Sequence, residues 1–337
     1  MRKTMMMALA ACAAIAEAAG PIDTVEMTKG TAGGKSETRK VKLTADGMRV
    51  RDPFVVPDAE RGVYCLVSSY FAKPGERGGD GLGFLGDGVQ FYESRDLVTW
   101  SEPRQVLAIP PSVDCRAFWA PEVHRYKDKW YVFGTVNYRS RKAKGTWTFV
   151  SDDLRGPYRP IGTRSITPPE WESLDGTLWV EDGTPWMVFC HEWCQTGNGR
   201  MMAAPMSKDL ARFTAEPVEL FRAADVPRAT HVTDGPFLLA PKGEGLRMIW
   251  SNFLTGSGYC VLQAKSQSGK VAGPWVQLPP VYTKDGGHGM CFTRFDGQLM
   301  LSLHQPNRSP HERLHLYPIK MSNGLFVRDV ASSKTED

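Results

Sequence analysis

Five short segments of this chain carry a carboxylate or an imidazole in matching local settings, and their starts lie 54 to 68 residues apart: Asp52-Pro53-Phe54-Val55, Ala120-Pro121-Glu122-Val123, Asp175-Gly176-Thr177-Leu178, Asp234-Gly235-Pro236-Phe237 and His288-Gly289-Met290-Cys291. Singly, each reads as a turn, because Asp-Pro and Asp-Gly suit tight turns. Gathered around one axis, Asp52, Glu122, Asp175, Asp234 and His288 would mean something else. Acidic groups crowded into a partly desolvated space repel one another, which raises the pKa of at least one of them. Hydrolysis of a glycosidic bond with inversion needs that division of labour. A base activates water on one face of the sugar, and a protonated acid serves the leaving oxygen on the other.

The surrounding pattern supplies elements that could gather them. After a turn, each tetrad is followed by a short apolar run: VYCLVSSY from Val63, KWYVFGTV from Lys129, TPWMVFCH from Thr184, LRMIWSNF from Leu246 and QLMLSLH from Gln298. Runs this short, rich in aromatic and branched residues, predict strands buried on both faces. A third run then leads through a polar turn to an aromatic residue that opens a fourth strand, as in VQFYESRDLVTW from Val89 and GTWTFVSDDLRGPY from Gly145. Four-stranded units at this period predict an all-β, five-bladed β-propeller over residues 46–328, with four antiparallel strands per blade around a central channel. A two-sheet sandwich would also show many short strands, but it would not repeat one tetrad at one register five times. In a propeller the first strand of each blade lines the channel, so equivalent positions converge.

The ends and the bulk composition narrow the class. Arg2 and Lys3, the apolar Met5–Ile15 and Ala16-Glu17-Ala18 read as an export signal over residues 1–19. Leu9-Ala10-Ala11-Cys12 also resembles a lipoprotein box, with Cys12 carrying lipid. The expectation is a secreted, periplasmic or lipid-anchored protein. Residues 20–45 read as a linker and 329–337 as a polar tail. The chain has 41 basic and 37 acidic residues with no basic run, which argues against nucleic acid as a partner. No later segment is apolar for the roughly 18 residues of a membrane span. Cys190 and Cys194 flank His191, which suggests zinc, but no second Cys/His pair follows and buried thiols are the expectation.

At its tetrads the chain resembles glycoside hydrolase family 43 over essentially all of the mature sequence. The resemblance implies a five-bladed propeller, inverting chemistry and carbohydrate substrates built from arabinofuranose or xylose, as in arabinan and xylan. Position by position, it implies that Asp52 is the general base and that Asp175 orients the acid and raises its pKa. It places Trp119, in Trp119-Ala120-Pro121-Glu122, at the sugar pocket with Glu122. It sets His288 near a calcium in the channel, acting through water because calcium prefers oxygen ligands. No organic cofactor is implied.

One departure stands out: the family's acid position usually reads Glu-Gly-Pro, and here it is Asp234-Gly235-Pro236. Either Asp234 is the acid despite its shorter side chain, or Glu192 in His191-Glu192-Trp193 replaces it, its pKa raised by aromatic neighbours. His191, Trp193 and His288 are candidates to bind the sugar; the bland reading of His191, Glu192 and Trp193 is blade-edge packing with a surface carboxylate. Trp119 and Trp193 are the platform candidates, whereas Trp179, Trp186 and Trp250 read as core. Two other functions compete: a carbohydrate-binding propeller without catalysis, which Asp234 motivates, and a protein-interaction propeller, against which the acidic tetrads argue. Related propeller hydrolases of other sugars share the pattern. The glycine-rich stretch Lys73–Gly88 is expected on the rim, where its width would decide between chain ends and chain interiors.

Overall fold

The computed structural model describes residues 25–29, 37–41, 43–71, 85–140 and 143–330. The export signal, Cys12, residues 73–84 of the expected rim insertion and the end of the tail lie outside the described residues. Val25–Lys29 and Glu37–Val41, in the stretch expected as a linker, pair as a two-stranded antiparallel sheet. No helix of the described residues is long and apolar enough to cross a membrane.

Five antiparallel sheets account for the rest. Blade 2 runs Cys115–Tyr126, Lys129–Tyr138, Lys144–Ser151 and Arg159–Pro160; blade 3 runs Ser173–Glu181, Thr184–His191, Arg200–Pro205 and Val218–Arg222. Blade 4 runs Asp234–Leu239, Arg247–Leu254, Gly258–Ser266 and Trp275–Tyr282; blade 5 runs Gly287–Thr293, Leu299–Gln305, Arg313–Ser322 and Leu325–Arg328. Blade 1 consists of Phe54–Asp58, Val63–Phe71 and Leu85–Ser94 with a divided outer edge, where Thr99–Trp100 and Arg104–Ala108 both pair with Leu85–Ser94 and the earlier strand Leu43–Thr44 adds to Thr99–Trp100. Blades 2 to 5 keep the strand order of the sequence, as hairpin-connected strands must when the connections are short.

The second strands are the apolar runs seen in the sequence, and they are buried on both faces because each blade is sandwiched between two others. Leu66, Val132, Phe133, Met187, Phe189, Ile249, Trp250 and Leu301 are fully enclosed. Trp179 and Trp186 pack on the same cores and are partly buried. Phe118, on the inner strand of blade 2, fills the space over Gly134 so tightly that a Cβ there would sit 2.1 Å from its ring. Gly134→Ala is therefore expected to cost about 1–3 kcal/mol through overpacking, and calorimetry should show a melting temperature lower by several degrees. An unchanged value would mean that Phe118 moves aside freely.

Inner strands touch in cyclic order, and Phe54–Asp58 of blade 1 meets both Cys115–Tyr126 and Gly287–Thr293, so the ring is closed. Blade 5 is made wholly from the last four strands, and one antiparallel backbone bridge, Arg49 to Arg313, ties the chain ahead of blade 1 to it. Side chains add to the closure: Arg49 reaches the fully buried Glu312 at 3.3 Å, and Ser302 Oγ donates to the Pro53 carbonyl at 2.9 Å.

Candidate active site

The inner strands of blades 2 to 5 carry the same irregularity. Between Trp119 and Glu122, Leu174 and Thr177, Asp234 and Phe237, and Gly287 and Met290, the pairing with the second strand skips a step. The residue that makes the bend has left-handed backbone torsion: φ is 54° at Asp52, 46° at Ala120, 56° at Asp175, 46° at Gly235 and 51° at His288. Aspartate and glycine tolerate that region; alanine and histidine adopt it at a cost that the surrounding packing must bear.

This register corrects the sequence alignment in one blade. The bend of blade 4 is at Gly235, so Asp234 stands one residue earlier, level with Trp119, Leu174 and Gly287. Glycine is required there: a Cβ on Gly235 would lie 2.9 to 3.1 Å from the His288 ring. Glu122 lies two residues past the bend of its own blade. Its carboxylate pairs with His124 Nε2 at 2.9 Å rather than joining the other acids.

Asp52, Asp175, Asp234 and His288 do come together. Ligand atoms of Asp175, Asp234 and His288 all lie within 4.8 Å of one another, and His288 Nδ1 is 3.4 Å from Asp52 Oδ1. One imidazole therefore separates Asp52 from a pair of carboxyls. Asp52, Asp175 and His288 are buried, while Asp234 is the more open of the pair.

The two sides of His288 differ electrostatically. Burial is the largest influence on Asp52 and pushes its carboxyl up, but His288 and the Arg51 guanidinium outweigh it, and the group ends below the ordinary carboxylate range. Ser69 Oγ adds a long hydrogen bond to Asp52 Oδ2 at 3.4 Å. His304 lies 3.4 Å from the same carboxylate, yet it is not a cation: its Nδ1 accepts the Asp52 backbone N–H at 3.2 Å and its Nε2 faces Asn307 Oδ1 at 3.0 Å. That pattern places the ring proton on Nε2. Burial, then the Arg51 charge, hold the His304 pKa down to about 4, in agreement with a neutral ring.

On the other side, burial and then the Asp234 charge push Asp175 well above the carboxylate range, and the oxygens of the two carboxyls lie within 4.8 Å, which sets the Asp175 proton beside Asp234. Gly235 N–H donates to Asp175 Oδ2 at 3.0 Å. Tyr259 Oη donates to Asp234 Oδ2 at 2.5 Å. Burial and the Asp234 charge raise the Tyr259 phenol, which keeps its proton for that bond. These held oxygens bear on the calcium expected near His288. Calcium takes six to eight oxygen ligands, whereas these residues offer two carboxyls, each already accepting a hydrogen bond, and an imidazole nitrogen. The described residues do not fit a calcium bound directly among Asp175, Asp234 and His288.

Glu192 is elsewhere. It caps the short helix Trp193–Thr196 just after the second strand of blade 3, with its Oε2 3.0 Å from Lys144 Nζ and 2.8 Å from Cys194 Sγ. That carboxylate is engaged by an ammonium and a thiol, not by the cluster around His288. His191 stacks on Trp171 at 4.1 Å and meets Gln195 Oε1 at 2.7 Å; burial lowers its pKa. Trp193 is 43% exposed and available as a platform. Cys190 is buried as expected, but Cys194 is exposed, because the helix turns it outward. Trp119 lies under Lys144, 5.7 Å from its ring, and edges a cleft of about 530 Å³ with Arg116, Tyr138, Arg139 and Glu172.

The profile of Glycosyl hydrolases family 43 matches residues 47–326, nearly the whole propeller. The chain belongs to that family. This glycoside hydrolase is similar to a solved endo-arabinase from Bacteroides thetaiotaomicron VPI-5482, with 33% identity over 84% of this chain and 98% of that one and a TM-score of 0.75. An endo-1,4-beta-xylanase of the same organism shares the fold at 23% identity and a TM-score of 0.64, covering 86% of this chain and 97% of that one. An exo-1,5-alpha-L-arabinanase from a bovine ruminal metagenomic library does so at 18% identity and 0.64, covering 86% and 99%. Comparison with curated proteins gives no match.

Proposed function

We propose that this glycosidase cleaves arabinose-containing polysaccharide by inversion, with Asp52 as general base, Asp234 as the carboxyl that faces the leaving oxygen, and Asp175 as the partner that stores and positions its proton. The observation that carries the reading is the arrangement about His288: Asp52 lies 3.4 Å from its ring on one side, and on the other Asp175 and Asp234 offer ligand atoms within 4.8 Å of each other, close enough for a proton on Asp175 to be shared. A water held by Asp52 would attack one face of the sugar while the proton of the pair reaches the glycosidic oxygen on the opposite face. Trp119, level with Asp234 at the mouth, and the cleft beside it would carry neighbouring sugar units of a chain. The likeness to an endo-arabinase supports arabinan over xylan as substrate.

Proton NMR of the first sugar released from linear arabinan is expected to show the inverted anomer, with aryl arabinofuranoside and aryl xyloside ranking the two sugars. Retention of configuration, or no release from any of them, would overturn the reading.

The same asymmetry sets the pH dependence. Asp52 must be ionised, so the acidic limb of kcat/KM should fall below the ordinary aspartate value of about 4. The pair must keep its proton, so the alkaline limb should lie far above that value. The expected profile from pH 3 to 10 is a bell with an unusually broad top. An alkaline limb near the ordinary carboxylate range would show that Asp175 and Asp234 do not share a proton.

A further inference from the structure

The five-fold repeat makes one position at each junction between neighbouring blades directly comparable. At four junctions a side chain on the second strand of one blade accepts the backbone N–H of the bent residue in the next. Ser69 Oγ takes that of Ala120 at 3.2 Å, Thr135 Oγ1 that of Asp175 at 3.0 Å, Ser251 Oγ that of His288 at 2.8 Å, and His304 Nδ1 that of Asp52 at 3.2 Å. The residue at the fifth such position is Cys190. It pairs with Leu174 as Thr135 pairs with Trp119, Ser251 with Asp234 and His304 with Gly287. A thiol is a weak acceptor. At this junction alone the bent residue's N–H, that of Gly235, turns to a carboxylate of the site, Asp175 Oδ2 at 3.0 Å.

We propose that Cys190 is a positioning residue for the acid pair: by leaving the Gly235 N–H unclaimed, it gives Asp175 the donor that pins its carboxyl against Asp234. The proposal rests on the reading of Asp175 and Asp234 as that pair. The groups that face Asp175 are Asp234 and His288, with Asp52, Tyr259 and the Cys190 thiol close enough to act on it or be acted on by it. Cys190 itself is fully buried, and its thiol lies close enough to Asp175 and Asp234 to feel their charge. With one oxygen held by a backbone donor, the Asp175 carboxyl cannot rotate out of line with Asp234. That alignment is what proton delivery to a leaving oxygen requires.

Cys190→Ser tests this with a minimal change of shape, since serine would place a hydroxyl where three of the other junctions already use one. The serine Oγ is expected to capture the Gly235 N–H and release Asp175. For a linear arabino-oligosaccharide, whose alcohol leaving group needs a proton, kcat should fall about tenfold or more with KM within about twofold. For 4-nitrophenyl α-L-arabinofuranoside, whose phenolate leaves with little protonation, kcat should fall less than about threefold. Cys190→Ala removes the sulfur but adds no acceptor, so it should retain more oligosaccharide activity than the closer mimic, serine.

Equal losses on both substrates, full activity of the serine variant, or an alanine variant as impaired as serine would overturn the proposal. A crystal structure of Cys190→Ser reads the bond without any substrate: Gly235 N–H still on Asp175 would overturn it as well. Asp234→Asn, assayed on the same two substrates, separates the two levels of the argument. If it shows no dependence on leaving group, the acid pair is misassigned; if it does and Cys190→Ser does not, only the role of Cys190 fails.

Discussion

Asp52→Asn is expected to lower kcat on arabinan by about a thousandfold or more, toward the upper end of what loss of a general base costs, while KM changes little. The amide matches the carboxylate in shape, the backbone N–H bond to His304 Nδ1 does not involve the side chain, and Ser69 can still donate to the amide oxygen. What disappears is the ability to take a proton from water. The stability sign follows from the same surroundings. Because the folded protein holds the Asp52 pKa below its unfolded value, the ionised form favours folding. That contribution is present above the unfolded pKa of about 3.9 and is lost as pH falls through the folded one. At neutral pH Asp52→Asn should therefore melt below the parent, since Arg51 and His288 then face a neutral group. Turnover within tenfold of the parent would remove Asp52 from the mechanism.

The general plan of this site was legible because the propeller converts sequence period into spatial convergence. Residues separated by 54 to 68 positions meet, and Asp52, Asp175 and Asp234 could be selected before any coordinates. The slip in blade 4 has a plain origin. Asp234-Gly235-Pro236 can be laid on Asp52-Pro53 by matching aspartates, or on Asp52-Pro53 and Ala120-Pro121 by matching prolines, and the backbone follows the prolines. Proline at that place fixes φ just after the bend, whereas aspartate is only one of several residues that can occupy the bend. The one-residue offset is consequential, because it brings Asp234 level with Trp119 and against Asp175 instead of spacing three acids evenly around the axis.

The supporting residues were harder to see. Ser69, Thr135, Cys190, Ser251 and His304 each interrupt an apolar second strand near its end, a recurrence visible in the five runs. Its meaning depended on knowing that the next blade offers an N–H there. Tyr259 left no such trace. It belongs to a third strand, reads as one more aromatic of a buried run, and meets Asp234 only through packing between elements that sequence period does not order. The partner of Glu192 was hidden for the opposite reason. The aromatic neighbours of Glu192 in sequence suggested a desolvated acid, but Lys144, 48 residues earlier, supplies an ammonium that sequence distance hides.

Asp175→Asn should separate stability from activity in the opposite sense to Asp52. Burial and the Asp234 charge raise the folded pKa of Asp175 above its unfolded value. The protonated form therefore favours folding; its contribution is complete below the unfolded pKa of about 3.9 and is lost as pH rises through the folded one. Asparagine reproduces the protonated carboxyl: its oxygen can accept the Gly235 N–H and its amide can donate to Asp234, with no charge to repel. Above the folded pKa of Asp175 the variant should accordingly melt higher than the parent, at about 2–4 °C per kcal/mol of relief, and the gain should shrink as pH falls. Its kcat on arabino-oligosaccharide should nonetheless drop by about a hundredfold or more, because an amide can neither store the pair's proton nor answer the charge left on Asp234 when that proton is given up. A variant that is both less stable at alkaline pH and fully active would mean that Asp175 is an ordinary ionised carboxylate, and the asymmetry about His288 would lose its basis.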